Sequence, residues 1–163
     1  MKELLVQFGR YHIWANQLLL EAINQLPEEK CRQEVPSSFN SLYTTVLHIW
    51  DAESIWWQRM KLQEHIKIPS HDFEGSFKTL SQQLINQDKL WLEWVSHAGE
   101  HMFQHEFRYQ NSKRESFKQP VYQMVLHLFN HGTYHRGQLV TILRQLGTVK
   151  IPQTDYIVWS RKK

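Results

Sequence analysis

The chain has 163 residues, 41% hydrophobic and 21% charged, with a formal net charge of +3, which fits one folded domain and excludes a disordered polypeptide. Six Gly and five Pro are too few for a turn-dense β-sandwich, and the lone cysteine, Cys31, excludes an internal disulfide framework.

The prolines (Pro27, Pro36, Pro69, Pro120 and Pro152) fall between stretches of helical periodicity or at their starts. The first such stretch, about 2–26, carries Leu4, Phe8, Tyr11, Ala15, Leu18, Ala22 and Leu26 at alternating steps of four and three. The second, about 40–66, has Leu42, Val46, Ile49, Trp56 and Met60 on one side; the third, about 76–97, has Phe77, Leu80, Leu84, Trp91 and Val95. Residues 102–119 alternate apolar and polar around Asn111-Ser112-Lys113, which predicts a short hairpin or extended excursion. The fourth helix, about 120–147, begins near Pro120 and is closed by Gly147. Helices of this length, spanning about 30–40 Å each, predict an all-α four-helix bundle in a single domain, 1–163.

Ten histidines stand out, because neutral imidazole is the commonest metal ligand. On the fourth helix, with Leu128 at the centre of the buried arc and about 100° per residue, Val121, Met124, Gly132, Leu139, Ile142 and Leu146 fall within about 40°. On the same scale His135 lies about 20° and His131 about 60° off centre, one turn apart, so one cation can reach both rings. Burying two neutral imidazoles requires partners for four ring nitrogens, each costing about 1–3 kcal/mol if unpaired. His48, at the edge of the second helix's apolar stripe, is a third candidate. A rival set, His97, His101 and His105, is interrupted by Gly99 and surrounded by polar residues, and reads as solvated. His12, His65 and His71 read as surface residues. Around the candidate ligands, Gln138 and Tyr134 are placed to support a ligand or substrate, Asp51 to act as a base or acceptor near His48, and Gly132 to admit close approach of a helix or ligand. Gly137 has no evident role.

The run HLFNHGTYHRGQLVTILRQLG, with the LHIWDAE helix and the N-terminal FGRYHIWANQLLL helix before it, closely resembles the DinB-like (YfiT-related) bacterial proteins, over nearly the whole chain. The H-x-x-x-H-R-G-Q segment is the most specific part. The resemblance implies an up-down-down-up bundle, frequent homodimers, and a metal triad that carries over to His48, His131 and His135. It also implies relatives that include metal-dependent transferases using bacillithiol or mycothiol.

Three imidazoles with no obligatory carboxylate leave a coordination position open, as in catalytic rather than structural zinc sites. Zinc or nickel is the divalent ion expected first. With Cys31 far in sequence from the triad, thiol chemistry calls for an external small thiol of the bacillithiol type acting on a small electrophilic substrate. A metal-dependent hydrolase and a non-catalytic dimeric metal-binding bundle are the alternatives. Trp50, Trp56, Trp57, Trp91 and Trp94 cannot all face one core stripe, so exposed aromatic area at a homodimer interface is expected. Lys and Arg are scattered among acids except at Arg161-Lys162-Lys163, so no nucleic-acid partner is expected. No signal peptide and no stretch near about 20 apolar residues is present, so a cytoplasmic protein without membrane contact is expected.

Overall fold

The computed structural model describes residues 1–111 and 113–161; Ser112, at the tip of the expected excursion, and Lys162 and Lys163 of the basic tail lie outside the described residues. Long helices form where the helical period runs: α1 (Lys2–Ile23), α3 (Leu42–Met60), α4 (Phe77–His97) and α5 (Val121–Gln145). Two one-turn helices, α2 (Glu28–Arg32) between α1 and α3 and α6 (Tyr156–Ser160) after α5, are too short to carry a periodic signal. Ser41 opens α3 with a capping box: its Oγ accepts from the Thr44 N–H at 3.0 Å, and Thr44 Oγ1 accepts from the Ser41 N–H at 3.1 Å. Gly147, at φ 82°, closes α5 as expected, in a left-handed conformation that costs glycine little.

Two apolar clusters stacked along the bundle fix its direction. One joins the end of α1 (Leu19, Ile23), the starts of α3 (Leu42, Val46) and α4 (Phe77, Leu80), and the end of α5 (Ile142, Leu143). The other joins the start of α1 (Leu5), the end of α4 (Trp91, Val95) and the start of α5 (Val121, Val125), with Trp57 and Met60 of α3 packed against it. The chain therefore runs up, down, down and up. Helices α3 and α4 are parallel, so residues 61–76 must return along the bundle. Residues 102–119 contain the expected hairpin: β1 (Glu106–Gln110) pairs antiparallel with β2 (Ser116–Pro120), Arg108 opposite Lys118.

Two expectations are corrected. In α1 the expected Tyr11 and Ala15 are buried, but so are Leu5, His12, Asn16, Leu19, Leu20 and Ile23, whereas Leu4 is 61% exposed; the arc is turned from the all-apolar series because it includes polar residues. The tryptophans do not form an exposed cluster. Trp91 is fully buried and the other four are half-buried, with Trp50 edge-on to Phe73, Trp56 to Tyr109, and both Trp57 and Trp94 to Trp91. Part of the aromatic area expected at a dimer interface is packed inside the chain.

Candidate metal centre

At the waist of the bundle α3 and α5 face each other. The capping box fixes where α3 begins and sets His48 one residue before the core residue Ile49, at the edge nearest α5. From α5, His131 and His135 project one turn apart toward the same point. Their Nε2 atoms converge: His131 Nε2 lies 3.3 Å from His48 Nε2 and 2.9 Å from His135 Nε2. Ligand atoms subtending 90–109° at an ion 2.0–2.1 Å away stand about 2.9–3.4 Å apart, so the spacing fits one shared cation.

The protonation of the rings supports that fit. Burial, reinforced by His135 and His48, pushes His131 down to about 3. Burial also lowers His48, with His135 adding to it, and lowers His135 against the opposing hydrogen bond of Gln138. All three rings are neutral at pH 7. The His135 Nδ1–H donates to Gln138 Oε1 at 2.7 Å, which fixes the tautomer and leaves its Nε2 lone pair directed at the other rings. One proton can bridge two such nitrogens but not three, whereas a cation accepts a lone pair from each. His131 Nδ1 is buried without a hydrogen-bond partner among the described residues. Phe39, from the loop before α3, stacks on His48 at 4.1 Å and meets His135 edge-on at 5.6 Å, covering one side of the cluster. No carboxylate or thiol joins the group among the described residues, so a fourth position is left to solvent or substrate.

The structure thus brings together the three histidines picked out in the sequence, and gives Gln138 the supporting place considered for it. Tyr134 is 62% exposed with its ring 5.0 Å from that of His135, and makes no hydrogen bond among the described residues. Asp51 Oδ1 accepts from the Ser70 N–H at 2.9 Å and ties down the α3–α4 connection. His65, His71, His97, His101 and His105 are all exposed, as expected. Cys31 is buried in the apolar cluster at the end of α1, where burial and then Glu28 push its thiol up to about 11, so it offers no thiolate at neutral pH.

His12 is the largest correction among the candidate residues: it is fully buried, within a polar layer to which every long helix contributes. His12 Nε2 lies 2.9 Å from Glu53 Oε1 and 3.3 Å from Asp88 Oδ1; Asn16 donates to Asp88 Oδ2 at 2.9 Å, and Arg136 Nη1 donates to Asn16 Oδ1 at 2.8 Å. Arg136 Nη1 also stands 3.1 Å from His12 Nδ1. Burial opposes a charge on the His12 ring, yet Asp88 and Glu53 on its Nε2 side raise it to about 9, so it keeps its proton at pH 7 and Nε2–H faces the carboxylates. These residues can group around an ion as far as spacing goes, but that proton occupies the nitrogen an ion would need. Burial, with Asp88 beside it, raises Glu53 to about 8, so it carries a proton at pH 7. Burial opposes the charge of Asp88, yet His12, Glu53 and Asn16 hold it below the usual carboxylate range. Asp88 is then the charged acid that faces both His12 and Arg136. The legible signal was polar residues at helical spacing from core positions: His12 seven after Leu5, Glu53 four after Ile49, Asp88 four after Leu84. The layer also explains Gly132, since a Cβ there would stand 2.3 Å from His12 Cε1.

The family model described as DinB family matches residues 1–162. Protein DinB of Bacillus subtilis (strain 168) is 28% identical over 170 aligned residues, covering 96% of this chain and 93% of the relative.

Proposed function

The chain belongs to the DinB family, and from that premise we propose that it is a metal-dependent S-transferase whose His48, His131 and His135 hold one divalent ion, zinc or nickel first, and which joins a small thiol of the bacillithiol type to a small electrophile. The observation that carries this reading is the convergence of three neutral Nε2 atoms, 2.9 and 3.3 Å apart at their closest, with no protein donor in the fourth position among the described residues. When bound there, the ion supplies positive charge that favours thiolate over thiol at neutral pH. The chain's own residues position and shield. Gln138 orients His135 and is itself held by a 3.3 Å hydrogen bond to Ser38, while Phe39 excludes water from one side. The high pKa and burial of Cys31 support an external thiol rather than an internal one.

The test has two stages. Purified protein should retain close to one equivalent of zinc after dialysis, and His135→Ala should lose it while keeping its far-ultraviolet helical signal. Zinc-loaded protein should then accelerate the joining of bacillithiol to 1-chloro-2,4-dinitrobenzene, with chloride leaving and the thiol proton passing to solvent. Zinc retention without any metal-dependent rate would leave a binding bundle and overturn the transferase reading.

A further inference from the structure

Where α3 ends and the chain turns back, a solvent-open cavity of about 570 Å³ lies between the end of that helix and β1. Its walls include Ile55, Leu62, Phe107 and Tyr109, and two guanidiniums, Arg59 and Arg108, line it. Neither arginine side chain has a hydrogen bond or ion pair among the described residues, although Glu64 also lines the cavity. Arg59 is half-buried, its guanidinium lying over the rings of Trp56 at 4.9 Å and Tyr109 at 5.7 Å. A partly desolvated guanidinium held over two rings, with its donors uncommitted, is preorganised for a carboxylate. Leu62, 78% exposed at the cavity wall, takes φ 54° as the left-handed residue of the turn that ends α3, where the Leu62 N–H donates to Arg59 O at 2.9 Å and the Gln63 N–H to Gln58 O at 3.0 Å.

We propose that this cavity binds a small organic acid, its carboxylate on Arg59 with help from Arg108, its apolar body against Ile55, Leu62 and Phe107. The assignment does not require that the histidine triad hold a metal. A continuous row of rings nevertheless connects the two places: Tyr109 to Trp56 at 4.8 Å, Trp56 to His127 at 5.7 Å, and His127 to His131 at 5.8 Å.

Calorimetric titration of the full chain with 4-phenylbutyrate, and with the neutral 4-phenylbutanamide, tests this. The acid should bind saturably at one site per chain and at least tenfold tighter than the amide. Arg59→Gln should weaken the acid at least tenfold and leave the amide unchanged; Arg108→Gln, at an exposed position that folding does not need, should weaken the acid several-fold. Equal binding of acid and amide, no saturable binding of the acid at millimolar concentration, or acid affinity unmoved in Arg108→Gln and in a folded Arg59→Gln would each overturn the proposal.

Discussion

An imidazole crowded by other imidazoles gives up its proton early, and His131 is held near 3 for that reason, after the effect of burial itself. Unfolded, the same ring titrates near 6.5, so between about pH 6.5 and 3 the unfolded state holds the extra proton and stability falls with falling pH. Glu53 works in the opposite direction, since its raised carboxyl holds a proton in the folded state up to about pH 8. The contribution of His131 is therefore isolated by difference. Metal-free His131→Gln should lose less stability than the unsubstituted protein between pH 7 and pH 5, measured by urea unfolding at each pH. The two buried acids should also separate cleanly. Glu53→Gln replaces a carboxyl that already carries a proton and should cost under about 1 kcal/mol, whereas Asp88→Asn leaves His12 and Arg136 without the charged acid that faces both and should cost about 3–5 kcal/mol. Gln138→Ala should weaken zinc binding by about 10–100-fold without removing it, because His135 loses the acceptor that fixes its tautomer.

At the scale of the element, α5 carries two mid-helix glycines with opposite surroundings. At Gly132 a methyl group would stand 2.3 Å from the His12 ring, while at Gly137 nothing lies within 4 Å. Helix propensity favours alanine over glycine by about 1 kcal/mol at both. Gly137→Ala should therefore raise stability by about 0.5–1 kcal/mol, and Gly132→Ala should lower it by about 1–3 kcal/mol as overpacking outweighs propensity; chemical denaturation of the two variants decides. The same contrast explains what could be read from sequence in each helix. In α4 and α5 the apolar residues expected inside, Phe77, Leu80, Leu84, Trp91 and Val95, and Val121, Met124, Leu128, Leu139 and Ile142, are all buried, although Gln87, Asp88, His135 and Arg136 share those faces. In α1 the buried face contains His12 and Asn16, and a reading that followed apolar residues was drawn to Leu4 and Leu18 instead.

Across the whole molecule, two apolar clusters are separated by a waist where the charged and imidazole groups collect. The four long helices were legible from helical period and proline placement and the 102–119 hairpin from its alternation of apolar and polar residues, whereas the up-down-down-up order was implied by the family resemblance. The triad was legible because two ligands share one turn of α5 and the third sits at a helix edge. The polar layer, the covering Phe39 and the Arg59 cavity were not, because each is assembled from residues far apart in sequence that carry no local pattern. The apolar clusters pack without any ion, so loss of metal should leave the bundle folded. What the ion would add is reactivity at an incomplete coordination shell. X-ray absorption at the zinc edge, on protein loaded with one equivalent, measures that shell directly. Three imidazole nitrogens at about 2.0–2.1 Å together with at least one light, non-imidazole donor are predicted; two or fewer imidazoles, or a shell filled entirely by protein side chains, would contradict the account.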